Sequence, residues 1–168
     1  MPDSLELIVA SLVLQKVNPV VFRGYASGSD SLAAAADTLI TVDAVQFDTL
    51  GAFDTSTHLY TVKIAGAYRV IGEVRADLSS GQMGAKFHHN GTAAIHNGAF
   101  VNSFGGVALS SVVDDVAICA AGDTIGLYVY SSAAIGTTTS SNSNLLVIEY
   151  LGPASTSSSG GRCSWSRW

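Results

Sequence analysis

The chain has 168 residues, 48% of them hydrophobic and only 12% charged, with a formal net charge of −5. It is long and apolar enough for one domain with a full core, which excludes disorder. Eight basic against thirteen acidic residues, with no basic cluster, exclude a nucleic-acid backbone or an anionic membrane surface as the main partner.

Taken in chain order, residues 1 to 18 read as an arm, a short strand or an amphipathic helix with Leu5, Ile8 or Val9, and Leu12 on one stripe. Asp3 and Glu6 stand where a secretion signal carries basic residues. Glu6 and Ser11 interrupt an apolar run too short to cross a bilayer, so neither a signal peptide nor membrane insertion is expected.

Residues 19 to 152 form the predicted domain, and their pattern is β. VVFRGYAS is followed by the loop GSDSLAAAAD and by TLITVDAVQFDT. Then come HLYTVKI, the turn AG, AYRVIGEVRADL, a turn at SSGQ, and MGAKFHH. Asn90-Gly91 turns the chain into TAAIH, and VALSSVVDDVAIC, AAGD, TIGLYVYSS and NLLVIEYL complete the series. So many short runs rich in Val, Ile, Thr, Tyr and Phe, closed by turn residues, predict an all-β sandwich or jelly roll. The four alanines at 33 to 36 are too few to nucleate a helix.

In TIGLYVY, Ile125, Leu127 and Val129 share one face, and Tyr128 and Tyr130 the other. In NLLVIEYL, both the set Leu145, Val147, Leu151 and the set Leu146, Ile148, Tyr150 are apolar. Either both faces are covered within the protomer, or one is buried against a partner. The second reading makes a homo-oligomer the simplest outcome, with Tyr128, Tyr130, Leu146, Ile148 and Tyr150 as interface candidates. Residues 153 to 168 form a Ser/Gly-rich tail ending in aromatic and basic residues. It reads as a flexible end, or as an anchor in which Trp165, Arg167 and Trp168 dock on another protein.

Three of the four histidines, His88, His89 and His96, fall within nine positions. With Asn90-Gly91 as a two-residue turn, His89 pairs with Thr92, His88 with Ala93, and His96 lies opposite Ala85. His88 and His89 then face opposite ways, and His89 and His96 stand roughly 13 Å apart along the ladder. One chain alone is not expected to bind a metal through them, although an oligomer could bring copies of one histidine to its axis. His88, His89, Asn90 and Gly91 are read as an outward hairpin tip.

Asp114 and Asp115 are neighbours on a strand and face apart, a poor pair for acid–base work. Asp123 in AAGD reads as a turn former. Cys119 reads as a buried free thiol and Cys163 as an exposed one, with a 119–163 bridge the lesser alternative. There is no G-x-S-x-G, H-E-x-x-H or phosphate-loop motif. No catalytic residue, cofactor or metal is assigned, and no enzyme activity is expected.

Residues 42 to 72, VDAVQFDTLGAFDTSTHLYTVKIAGAYRVIG, carry Asp48, Phe53, Tyr60, Gly66 and Tyr68 at set spacings. This resembles the signature region of C1q-like domains, with Tyr60 in place of Phe and with Val42, Val70 and Gly72 where that family prefers aromatics. HHNG is similar to the family's hairpin, AAGDTIGLYVY to its Gly-Asp turn and following strand, and NLLVIEYLG to its closing strand. The resemblance spans residues 20 to 152.

It implies a jelly-roll sandwich of about ten strands, of the C1q and tumour-necrosis-factor type, assembled as a homotrimer that binds rather than catalyses. In that frame Gly66 permits a tight turn and Tyr68 starts an inward row with Val70 and Val74. Calcium is bound by some such domains, but no Asp-x-Asp-x-Asp loop is present.

The dialect FDT…FDTSTHLYTVKIAGAYRV is similar to the C1q-like modules of tailed bacteriophages. That similarity implies a virion protein assembled in the host cytoplasm, either a head-decoration protein or a minor tail or fibre component. Its partners would be further copies of itself and the major capsid or tail proteins. The alternative is a receptor-binding tip that recognises a host-surface glycan or protein.

Overall fold

The computed structural model describes residues 20–138 and 143–154. The anchor candidates Leu5, Ile8, Leu12, Trp165, Arg167 and Trp168, together with Cys163, lie outside them. The described residues form strands and no helix. The strands are β1 (Val20–Tyr25), β2 (Ser31–Leu32), β3 (Ala36–Leu39), β4 (Ala44–Asp48), β5 (Phe53–Asp54) and β6 (Leu59–Thr61). They continue as β7 (Gly66–His89), β8 (Thr92–Asn97), β9 (Val101–Cys119), β10 (Thr124–Ser131), β11 (Ile135–Gly136) and β12 (Leu145–Gly152).

The pairings build a two-layer antiparallel sandwich. One layer runs β4-β1-β12-β7-β9. The other is centred on β10, which pairs with β7, β3 and β6, while β8 pairs with the end of β7.

The long strand β7 belongs to both layers. Its first half pairs with β12 over Ala67–Glu73, and its second half with β10 over Met83–His89. The predicted turn at SSGQ is therefore corrected: the chain runs on as one strand. The pairing with β9 shifts register between Leu78 and Ser80, and Gly81 adopts a φ of +100°.

That bulge changes which residues face inward. Before it the buried side chains are even-numbered: Tyr68, Val70, Val74, Ala76 and Leu78. After it they are odd: Met83, Ala85 and Phe87. One extra residue inverts the side-chain parity, and a strand can then serve two layers without burying its polar face. The predicted strand TLITVDAVQFDT breaks for a similar reason. Its first part pairs with β10 and its last part with β1, and the chain crosses between layers through the fully buried Ile40 and Val42.

The residues that carried the resemblance meet in the core. Phe22 stacks on Phe53 at 4.3 Å between ring centroids and leans on Tyr60; Tyr60 meets Tyr68, and Tyr68 meets Tyr150 at 5.2 Å. The Tyr68 hydroxyl donates to the Ile64 carbonyl. Burial pushes both the Tyr60 and Tyr68 hydroxyls well above the usual tyrosine range. Asp48 fixes the segment that delivers Phe53: its carboxylate accepts from the backbone N–H groups of Leu50, Ala52 and Phe53.

The inward row Tyr68, Val70, Val74 is as expected, but the role of Gly66 is not. Gly66 opens β7 without a positive φ. It is small because a Cβ there would collide with the Gly152 carbonyl and the Tyr150 ring.

Candidate functional site

The sequence left open which face of β12 is covered. Leu146, Ile148 and Tyr150 are 0%, 0% and 1% exposed and belong to the core of the protomer. Their assignment to an interface is corrected: the second layer of the sandwich already covers them. Tyr128 and Tyr130 do point outward, but from the β10 layer, where their own chain half-covers them. The Tyr128 ring stacks on His88 at 3.7 Å, and Tyr130 meets the edge of Phe100 with Lys86 above it.

The open apolar surface lies on the outer side of the β4-β1-β12-β7-β9 layer. Along β9, Val112, Val116 and Ile118 alternate outward and are 47%, 50% and 56% exposed. The register continues the surface across the sheet. Asp114 lies beside Ile71, Ile71 beside Val147, Val147 beside Arg23, and Arg23 beside Phe47; the next row runs Val112, Glu73, Leu145, Tyr25. Leu151, Val45 and Phe47 are exposed on the same layer. Exposed apolar side chains grouped on one sheet face, here interspersed with Asp114, Arg23 and Glu73, make that face a candidate interaction surface.

Charges sit in the middle of this face. The Arg69 guanidinium donates through Nε and Nη2 to Asp114, at 2.8 and 2.6 Å, and reaches Glu149 at 3.5 Å. The Asp114 carboxylate raises the proton affinity of Arg69, and Arg69 in turn holds Asp114 below the usual carboxylate range. Both groups are more than a third exposed, so water screens the pair in the isolated chain. Nearby, the Nε of Arg23 is buried with no acceptor among the described residues.

The histidine-bearing turn is formed as expected at its tip. Asn90 and Gly91 have φ of +52° and +72°, His89 pairs with Thr92, and His88 with Ala93. A register shift between Lys86 and His88 then sets Asn97 opposite Lys86, and the Gly98 N–H donates to the Ala85 carbonyl. His96 is therefore not opposite Ala85, which is a correction.

His88 and His89 do face apart. His88, 8% exposed, meets Asp37 at 3.2 Å beneath the Tyr128 ring, and Lys86 donates to the other Asp37 oxygen at 2.7 Å. His88 is thus a covered side chain, which corrects its reading as part of an outward tip. His89 turns to the opposite side, where its Nε2–H donates to Asp123 Oδ2 at 2.8 Å.

Asp123 does more than form a turn. Its carboxylate also accepts from Asn90 Nδ2 and from the Ala120 N–H, and Asn90 Oδ1 in return accepts from the Thr124 N–H. These donors, Asn90 first, then Ala120 and His89, hold Asp123 down to about 2. Because the folded value is depressed, the stabilisation is complete above the unfolded value near pH 4 and is lost as pH falls toward 2. Asp123→Asn is expected to remove about 1–2 kcal/mol of the acid-dependent loss over that window, allowing for solvent screening. Urea midpoints of both proteins at the two ends of the window check it.

Beneath this turn lies Cys119, a buried free thiol as expected, which burial and then the Asp123 charge push up to about 11. The donor atoms of His89, Cys119 and Asp123 all lie within 4.8 Å of one another. Sequence reasoning weighed the histidines only against each other and missed this grouping. The usable signal was the Cys-x-x-x-Asp spacing ending at the Gly-Asp turn.

No family model and no curated protein matches the sequence. Solved structures match its fold. The globular domain of zebrafish complement 1qA protein aligns over 81% of this chain and 99% of its own, with a TM-score of 0.63 and 12% identity. Murine APRIL at pH 5.0 aligns over 79% and 98%, with a TM-score of 0.64 and 14% identity. Eiger TNF from S. frugiperda aligns over 89% and 100%, at 0.60 and 15%. The chain has the C1q/TNF-like jelly-roll fold.

Proposed function

We propose that this protein is a non-enzymatic adhesive module that works as a homotrimer on the particle of a tailed bacteriophage, as a capsid-decoration or tail component. The observation that carries the self-association is the outer face of the β4-β1-β12-β7-β9 layer, with Val112, Val116 and Ile118 half exposed. Its occupant is a second copy of the chain. The face carries both signs of charge, on Arg69 and on Asp114 with Glu149, so identical copies can match it without leaving one sign unpaired.

Threefold closure is what the C1q-like resemblance implies, and the fold neighbours support that reading. The phage context rests on the phrase FDTSTHLYTVKIAGAYRV and its neighbouring strands. The absence of nucleophile and phosphate motifs, and the use of the acidic side chains in turns and ion pairs, support binding over catalysis.

The test is a binding assay on three surfaces: undecorated capsids, purified tails and host cells. Saturable binding to capsids or tails is the expected result. Binding to host cells alone would overturn the structural role and favour recognition of a surface glycan or protein.

A further inference from the structure

We propose that His89, Cys119 and Asp123 form a binding site for one zinc ion, held by Nε2, Sγ and Oδ2 with solvent in the fourth position. The site does not depend on the assembly state or on the phage reading.

Three separate strand ends build it: the end of β7, the end of β9, and the turn that leads into β10. Their relative positions are fixed by the main chain. Ile125 pairs with His89, the Asn90 N–H donates to the Thr124 carbonyl, and the Gly122 N–H to the Val62 carbonyl. The three donors already lie within 4.8 Å of one another. Zinc bonds of about 2.0–2.3 Å in a tetrahedron set neighbouring donors roughly 3.3–3.8 Å apart. His89 and Asp123, now 2.8 Å apart with a proton between them, need to open only slightly.

The donor set also fits the ion. A thiolate with an imidazole and one carboxylate suits zinc and excludes calcium and magnesium, which take oxygen ligands. The carboxylate is oriented without help from His89. Asn90 Nδ2 holds Oδ1 at 2.8 Å, and the Ala120 N–H holds Oδ2 at 2.7 Å. Such outer partners are what keep a metal ligand in place. Cys119 closes the inner side at 2% exposure, and the half-buried His89 and Asp123 leave the outer side open for entry.

Proton balance follows from the ligands. The Cys119 thiol proton leaves to solvent as the Zn–S bond forms. The proton that His89 Nε2 shares with Asp123 is given up to solvent while Nδ1 takes one from it, so the ring stays neutral and Nε2 is freed for the metal. The His89–Asp123 hydrogen bond is replaced by the two metal bonds.

Cobalt(II) is the probe, because a thiolate ligand gives it a charge-transfer absorption. The test uses the full chain carrying Cys163→Ser, so that Cys119 is the one thiol present. One cobalt per chain is expected, with a thiolate band that zinc abolishes. Adding Cys119→Ser should remove the band, and circular dichroism should show that variant folded. Asn90→Gly keeps a residue that tolerates positive φ but removes the outer-shell amide. It should weaken cobalt binding about 10- to 100-fold while leaving the thiolate band at saturation. No thiolate band in the parent, or a band unchanged by His89→Gln in a folded protein, would overturn the site.

Discussion

Replacing Val116 and Ile118 together by aspartate should turn the assembled protein into a folded monomer. Both side chains point away from the core and are half exposed in the single chain, so the substitutions leave the protomer's own packing intact. Covering the half of each side chain still exposed is worth about 0.8–1.5 kcal/mol in the assembly. Aspartate both removes that gain and adds a charge that must be stripped of water. Two substitutions per protomer therefore weaken association by about a thousandfold or more. Sedimentation velocity should show the loss of assembly, with an unchanged circular dichroism spectrum. A variant that still sediments as the parent does would mean that this face is not the interface.

The opposite face of the same layer predicts the opposite behaviour. Tyr150→Ala should cost about 3–5 kcal/mol of folding stability and Ile148→Ala about 2–5 kcal/mol, because both side chains fill the core. Tyr150 also ends the aromatic row that runs through Phe53, Phe22, Tyr60 and Tyr68, so its loss leaves Tyr68 facing a void. Against a typical stability of about 5–15 kcal/mol, either change is severe. Urea unfolding in the Val116/Ile118 monomer background separates this from any effect on assembly. The core assignment is wrong if Ile148→Ala leaves the urea midpoint of that monomer unchanged.

These two predictions mark where the sequence was legible and where it was not. The alternation in β10 assigned Ile125, Leu127 and Val129 to one side correctly, because only one of its faces is aliphatic. In β12 both faces are apolar, and a period of two cannot say which of them meets the second layer. That is decided by β7, which β12 pairs with and whose bulge passes the chain from one layer to the other. The bulge was itself hidden: Ser79, Ser80 and Gly81 are the residues of a turn, and only continued pairing with β9 distinguishes a bulge from one. The aromatic spacings at Phe53, Tyr60 and Tyr68 were readable because one continuous row in the core imposes them.

The candidate site shows the same division. The Asn90-Gly91 turn and the Asp123 turn are local, and each was visible in a few residues. Their meeting is not local. It depends on the pairing of β7 with β10, which brings His89 beside Asp123 across 34 positions of sequence. The outward alternation of Val112, Val116 and Ile118 was present in VALSSVVDDVAIC, but Asp114 and Asp115 drew attention to the carboxylates rather than to the apolar residues around them.

The most direct test of the central claim is the mass of the unmodified protein in solution at micromolar concentration, by light scattering or sedimentation equilibrium. A homotrimer has three times the 17.3 kDa of the chain, and that mass is the expected result. A single-chain mass under those conditions would contradict it.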